Sequence, residues 1–319
     1  MKYFLGIDTS NYRTSAAICD FDGNVIKQVR RLLPVKKGEL GLRQSEALFE
    51  HTKALPSVME ELGGFEIAAV GYSARPRDVE GSYMPCFLAG ESVARSIAAT
   101  LGIKSFDFSH QAGHVKAAAY SCREQRLSTG RTFFEMTETE GEFIAFHLSG
   151  GTTEALLYKN GELTILGQTL DLNAGQAVDR VGVMLGLPFP AGEEMEKLAL
   201  GQPFTKGIKI SVKGFDCNLA GVENQAKKRF ENGETPEKVA AFALDCVLKT
   251  VDKMTENILI AYPGLPVLYA GGVTACKRIA NELTKKYECA FALPQLSGDN
   301  AAGTALLCRN KFLSELKLK

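Results

Sequence analysis

Residues 143–161, FIAFHLSGGTTEALLYKNG, decide how this chain is read. Phe143 to Leu148 is an apolar, strand-like run, and Ser149-Gly150-Gly151-Thr152-Thr153 is a turn of small and hydroxylated residues. Glu154 to Tyr158 is apolar again, and Lys159-Asn160-Gly161 signals a hairpin. The same plan opens the chain about 140 residues earlier. Tyr3 to Ile7 is apolar, Asp8-Thr9-Ser10-Asn11 is a polar turn, and Thr14 to Ile18 is apolar; Asp22-Gly23 then leads into a third strand from Val25 to Leu33. Two copies of one α/β unit predict two lobes facing each other across a central cleft, each a mixed sheet with flanking helices. The expected boundaries are residues 1–138 and 139–299, with a C-terminal helix over 300–319 packing back on the first lobe.

Between the two copies the pattern turns helical. Ser45 is placed to cap a helix carrying Leu48, Phe49, Leu55, Met59 and Leu62 inward, ending at Gly63-Gly64. A strand from Ile67 to Tyr72 precedes a helix with Val93, Ile97, Ala98 and Leu101, stopped by Gly102. A strand from Lys104 to Phe108 then enters a helix near Ser109, and the polar stretch Arg123 to Glu140 separates the copies.

Bulk properties narrow the class. A chain of 319 residues is too long for one ordinary core. Lys plus Arg and Asp plus Glu are both 37, so the net charge is zero, which argues against a protein that grips nucleic acid alone. The densest basic cluster, Lys227-Lys228-Arg229, reads as a solvated helix face, so an RNA substrate implies a helper protein. No apolar run reaches the roughly 20 residues that span a bilayer, and the opening MKYFLGIDTS reads as a strand rather than a signal peptide. Eight cysteines without a C-x-x-C pair read as buried free thiols in a reducing compartment, the cytoplasm.

Three turns could carry chemistry: Asp8-Thr9-Ser10, Ser149 to Thr153, and Ala270-Gly271-Gly272-Val273-Thr274. Each follows an apolar strand, and freed N–H groups with hydroxyls can cradle phosphate. None matches a P-loop, and no G-x-G-x-x-G follows the first strand. In Ser109-His110-Gln111-Ala112-Gly113-His114 the histidines fall one helical turn apart, the spacing at which two imidazoles share a metal. Asp299 is the candidate third, hard ligand, or else a plain helix cap. The central Glu of H-E-x-x-H is missing, which counts against a peptidase. Asp179 sits on a helix where a carboxylate could take ribose hydroxyls or simply face solvent, and Gly192 follows in a proline-flanked loop.

Taken in order, these pieces resemble the threonylcarbamoyladenosine synthase family, once called O-sialoglycoprotein endopeptidases, within the actin, sugar-kinase and heat-shock chaperone superfamily. Gly6-Ile7-Asp8-Thr9-Ser10 resembles G-I-E-T-S, and His110-x-x-x-His114 resembles the metal-binding H-x-x-x-H. Ser149-Gly150-Gly151 resembles S-G-G-H-T, and Ala174 to Asp179 resembles A-G-E-A-F-D. Ala270 to Ala275 resembles A-G-G-V-S-A-N, and Asp299-Asn300 the closing D-N-G. The resemblance implies two actin-like lobes, transfer of threonylcarbamoyl from its adenylate to the adenosine beside the tRNA anticodon, and partner proteins or a homodimer. It implies one divalent metal, iron or zinc, on His110, His114 and Asp299, with magnesium an alternative alongside the nucleotide. It also implies ATP or an acyl-adenylate at Ser149, Gly150, Gly151, Thr152, Asp179, Gly192, Gly271, Gly272 and Cys276.

Departures from the family pattern fall around this site. The C-D-E-T acids become Asn11-Tyr12-Arg13-Thr14, and the G-P-G loop becomes Arg75-Pro76-Arg77. Thr152 replaces a histidine, Gln176 a glutamate, Cys276 an asparagine, and Lys213-Gly214-Phe215-Asp216 the S-G-L-K motif. Asp8, Ser10, Arg13, Arg75 and Arg77 are therefore candidate cleft residues, the arginines favouring a more anionic ligand. Two alternatives stay beside the tRNA-modifying transferase: a carbamoyl- or phosphoryl-transfer enzyme on a small anion, and an inactive nucleotide-binding regulatory paralogue.

Overall fold

The structure is a computed structural model that describes residues 2–10, 13–34, 43–159, 162–293, 296 and 301–317, apart from the side chains of 138–140 and 317. Two five-stranded sheets organise the chain. Strands β1 (Tyr3–Asp8), β2 (Arg13–Cys19), β3 (Val25–Leu32), β4 (Ile67–Arg75) and β5 (Lys104–Ser109) lie in the order β3-β2-β1-β4-β5. Strands β6 (Glu142–Leu148), β7 (Thr153–Lys159), β8 (Glu162–Gln168), β11 (Val267–Ala270) and β12 (Cys289–Phe291) repeat it as β8-β7-β6-β11-β12. In each sheet the first two strands pair antiparallel, and the fourth in chain order lies parallel beside the first. The duplication read from residues 143–161 is thus present strand for strand. A two-stranded ribbon, β9 (Ser211–Lys213) with β10 (Asp216–Asn218), is added to the second copy.

Helices cover the sheets. In the first unit, α1 (Gln44–Leu62) and α2 (Phe87–Leu101) lie on one face of the sheet, and α3 (His110–Ser121) and α10 (Ala302–Lys317) belong to the same unit. Ala301, Ala305 and Cys308 of the α10 region pack with Phe4, Ala17 and Ala69 on the other face. A Cβ on Gly6 would stand 2.4 Å from the Ala305 nitrogen, so only glycine lets that helix cross β1. The α1 stripe is Ala47, His51, Leu55, Val58 and Leu62. At 100° per residue Phe49 faces away from that stripe, and it is 62% exposed rather than inward. Leu101 is likewise outside, at 55%.

In the second unit, α5 (Ala174–Met184), α6 (Gly192–Leu198), α7 (Ala220–Glu231), α8 (Pro236–Ala261) and α9 (Lys277–Thr284) share one core with β6 and β11. The first unit comprises residues 1–121 and 293–319 with 161–163, and the second 122–160 and 164–292. The polar stretch Arg123 to Glu140 is not a bare linker. Thr132 caps a helix there, α4 (Phe133–Glu140), by accepting the Glu135 N–H at 3.1 Å, and Phe133 is fully buried. Among the described residues no helix is long and apolar enough to cross a membrane. None of the eight cysteines forms a disulfide, and all are buried.

Candidate active site

The histidine pair sits at the start of α3. Ser109, the last residue of β5, caps the helix by accepting the Ala112 N–H at 3.1 Å, so His110 and His114 stack on one face. Their Nε2 atoms are 2.8 Å apart, with the rings nearly perpendicular at 81°. His110 Nδ1 lies 3.1 Å from Asp8 Oδ1, and Ser10 Oγ donates to Asp8 Oδ2 at 2.6 Å. Burial pushes the Asp8 carboxyl up, but the His110 charge and hydrogen bonds from His110, Ser10 and Ser73 outweigh it and hold it below its ordinary value. A carboxylate can only accept, so Nδ1 of His110 carries a proton, and in the neutral ring, the form that binds a metal, the Nε2 lone pair faces His114.

That arrangement fits a metal. Two nitrogens each about 2.0–2.1 Å from one ion stand about 2.9–3.4 Å apart, depending on the angle between them, and the observed pair needs only a small rotation. The carboxylate behind the first imidazole is the usual orienting partner of a metal-bound histidine. Among the described residues no group of three His, Cys, Asp or Glu side chains is placed to hold a metal. Asp299 lies outside the described residues. The helix that begins shortly after it in sequence packs Gly303 directly on Gly113, where a Cβ would stand 1.8 Å from the Gly113 oxygen.

The first turn is not an open cradle. Asp8, Thr9 and Ser10 are all buried, and Thr9 Oγ1 donates to Cys86 O at 3.0 Å while accepting the Gly90 N–H at 3.1 Å. Its side chains orient His110 and tie β1 to α2.

Arg75 also departs from expectation. Its guanidinium is spent on two acids: Nε and Nη2 reach Asp78 Oδ1 at 3.2 and 2.8 Å, and Nη1 reaches Asp107 Oδ2 at 2.7 Å. The other Asp78 oxygen accepts from the Ser109 hydroxyl at 2.8 Å, and the Gln111 N–H donates to Pro76 O at 3.1 Å. The Arg-Pro-Arg loop therefore braces the first turn of α3. Arg77 donates its backbone N–H to Ser82 Oγ at 3.0 Å, and Arg13, half-buried at the start of β2, has no acidic partner among the described residues. Asp107 carries no signal in the sequence, because only the β4–β5 pairing brings it to Arg75, whereas Asp78, three residues on, is a local partner missed in reading the sequence.

The second unit presents a different surface. Strands β6 and β11 are parallel neighbours, with His147 opposite Ala270, so the turns that follow them lie side by side. Ser149 Oγ accepts the N–H groups of Gly151 and Thr152 at 3.3 and 3.1 Å, which folds the turn and leaves Gly150 and Gly151 exposed. Gly271 has φ 103°, and a Cβ there would meet the Leu148 oxygen at 2.3 Å. Gly272 is exposed, and Thr274 Oγ1 donates back to Gly271 O at 2.8 Å. The N-terminus of α5 docks on the same spot: Ala174 N–H donates to Thr153 Oγ1 at 2.7 Å and Gly175 N–H to Ser149 O at 3.0 Å. Two glycine turns and a helix N-terminus thus converge. With the N–H groups of Gly151, Thr152, Ala174 and Gly175 engaged within the protein, what they offer a phosphate is the positive end of the helix dipole and exposed glycine backbone at Gly150 and Gly272.

The remaining residues are accounted for structurally. Asp179 Oδ1 accepts the Ala191 N–H at 2.8 Å and so holds the loop before α6, in which Phe189-Pro190 is cis; Gly192, read from the sequence as a loop residue, is the exposed first residue of α6. Cys276 is buried, and burial pushes its thiol up to about 11.

Residues 46–306, about four-fifths of the chain, match the TsaD family of tRNA N6-adenosine threonylcarbamoyltransferases. The chain belongs to that family. It is 28% identical to the tRNA N6-adenosine threonylcarbamoyltransferase of Methanopyrus kandleri, over 93% of this chain and 84% of that one. The match to the enzyme of that name from Archaeoglobus fulgidus is 27%, over 93% and 88%. A probable bifunctional tRNA threonylcarbamoyladenosine biosynthesis protein of Methanothermobacter thermautotrophicus is 27% identical, and the chain spans 54% of its length. Among solved structures, HypF of T. kodakarensis superposes with a TM-score of 0.61 at 11% identity, over 98% of this chain and 48% of that one. The Acidaminococcus fermentans (R)-2-hydroxyglutaryl-CoA dehydratase component A gives 0.51 at 14%, over 98% and 99%. At such identities these likenesses establish the actin-like fold and nothing more.

Proposed function

We propose that this family member transfers threonylcarbamoyl from its adenylate to the N6 amine of an adenosine in tRNA. The observation that carries the reading is the Nε2–Nε2 pair of His110 and His114, oriented through Asp8, in a chain that matches the family over most of its length. In the reaction the N6 nitrogen attacks the carbamate carbonyl, a C–N bond forms, the C–O bond to the adenylate phosphate breaks, and AMP leaves as the amine gives up a proton. His110 and His114, with Asp299 as the third ligand, would hold a divalent cation, which would supply positive charge against the negative charge that develops in acyl transfer. The chain's own part is positional. Asp8 keeps the proton on His110 Nδ1, and the turns at Ser149 and Gly271 with the α5 N-terminus take phosphate. Asp179 holds the loop at Gly192, where the ribose would lie. A helper protein for the tRNA belongs to the proposal, since the net charge is zero and the bifunctional relatives are about twice as long. The pairing of Arg75 with Asp78 and Asp107 removes one observation that favoured a small anionic substrate.

Incubating the protein with synthetic threonylcarbamoyl-adenylate, a tRNA transcript and an extract of cells lacking the resident synthase, which supplies the helper, tests the reaction. Release of AMP together with threonylcarbamoyl-tRNA is the expected result. AMP release without transfer, or neither product, would count against the reading.

A further inference from the structure

We propose that Lys206, Lys209, Lys213 and Lys249 form a basic track for the phosphate backbone of an RNA strand, an inference that rests on the tRNA reading above. The segment bearing the first three is pinned to α8 at both ends. The Thr205 N–H donates to Asp245 Oδ2 at 2.8 Å, and Asn257 Nδ2 donates to Gly214 O at 2.6 Å. Asp245, Lys249, Lys253 and Asn257 succeed one another at steps of four, one ridge of the helix. At 1.5 Å per residue the two anchors stand about 18 Å apart along the axis. The segment therefore follows that ridge, with Lys249 on it between the anchors.

Within the segment, Ile208 and Val212 turn in against the core of the second unit, which leaves Lys206, Lys209 and Lys213 exposed. None of the four lysines has an acidic partner among the described residues. Several exposed cations elsewhere are matched, Lys227 with Glu231, Arg229 with Glu234, Lys197 with Glu193 and Glu194, Lys285 with Glu282, while Lys228, Lys238 and Lys277 stand singly without an acidic partner among the described residues. The acids beside the track are already engaged. Asp245 holds Arg278 at 2.7 Å, Asp252 holds Lys286 at 2.6 Å, and Glu256 holds Lys253 at 2.7 Å. Asp216 accepts the Gln168 N–H at 2.9 Å and stands opposite Lys213 across the β9–β10 ribbon, so it offsets part of that one lysine's charge. A zero net charge thus hides a line of positive charge offset only at Lys213, whereas Lys227 and Arg229 are each paired with an acid. A line of about 18 Å is longer than one phosphate can occupy and suits successive phosphates of a strand. Lysine, a point charge on a flexible stem, positions a backbone without reading bases.

Filter binding of unmodified tRNA to the full-length protein, titrated with salt, tests the track. Removing one lysine that neutralises a phosphate lowers the slope of log K against log salt by about 0.7–0.9. The triple variant K206Q/K209Q/K213Q is expected to lower that slope by about 2–3 and to keep its melting temperature, since all three side chains are exposed. The variant K53Q/K197Q/K285Q loses the same charge from lysines already paired with acids, and should keep the wild-type slope. An unchanged slope in the first variant, an equal fall in the second, or no tRNA binding by wild type at about 50 mM salt overturns the proposal. The transfer assay reports separately. Transfer with an unchanged slope sinks the track alone, and the expected slope change without transfer sinks the reaction alone.

Discussion

Arg75→Met removes a guanidinium and keeps the apolar stem that carries it. Three donors of Arg75 reach two carboxylates, and Asp78 passes the restraint through Ser109 to the Ala112 N–H in the first turn of α3. About a third of the Arg75 side chain and over half of Asp107 are exposed, so solvent screens both pairs. Exposed ion pairs contribute about 0.2–1 kcal/mol each, and the whole clamp about 1–2 kcal/mol. The expected fall in melting temperature is about 2–5 °C. Calorimetry with ATP should show affinity and salt dependence within about twofold of wild type, because the side chain is committed to Asp78 and Asp107; removing a charge-assisted bond to the ligand would cost about tenfold or more. Titration with cobalt(II) should show weaker binding at the histidine pair, by roughly 10-fold, because a first turn that is no longer braced holds His110 less well. Stability unchanged with ATP binding weakened tenfold or more would make Arg75 an anion ligand and refute the reasoning.

Four further outcomes follow from the same geometry. His114→Ala should reduce metal content, measured by elemental analysis, far more than it lowers the melting temperature, because the side chain is only partly buried. Gly175→Ala puts a Cβ 2.5 Å from the Gly150 nitrogen, so the Ser149 turn must move, and ATP affinity should fall about tenfold or more while the urea midpoint shifts modestly. Asp171 is pushed up by burial but drawn further down by the N–H groups of Leu219, Leu172 and Ala220, leaving its folded value below 3.8. A depressed carboxylate stabilises the fold above its unfolded value, and the contribution is lost as pH falls through the folded value; Asp171→Asn should be less stable than wild type at neutral pH and lose less between neutral pH and pH of about 2. Burial pushes the Cys19, Cys122, Cys246 and Cys289 thiols up to about 12. A thiol reagent at pH of about 8 should therefore titrate almost no thiol in the native protein and all eight cysteines after denaturation.

The fold is legible because it is written twice. Residues 3–23 and 143–161 share one pattern of apolar runs and turns, and the two sheets share one strand order. The histidine pair is legible because helical spacing alone sets His110 over His114 once Ser109 caps the helix. What escapes is whatever depends on a partner distant in sequence. Ser10 reads as a phosphate hydroxyl until Asp8 and His110 are seen to claim its surroundings. Arg75 reads as an anion ligand because Asp107 is 32 residues away and is brought within its reach only by the pairing of β4 with β5. Asp179 reads as a free carboxylate until the chain returns at Ala191. Phe49 reads as inward because an apolar count does not fix the stripe's angle, whereas His51, Leu55, Val58 and Leu62 do. The lysine track has no linear signature at all, since Lys249 meets the segment of Lys206 to Lys213 only through the anchors at Asp245 and Asn257.

Mass spectrometry of tRNA nucleosides from a strain in which this protein replaces the resident synthase tests the account most directly. Threonylcarbamoyladenosine present with the wild-type chain, and lost with His114→Ala, is the predicted result. A strain that makes folded protein able to bind ATP, yet yields tRNA without the modified nucleoside, would contradict it.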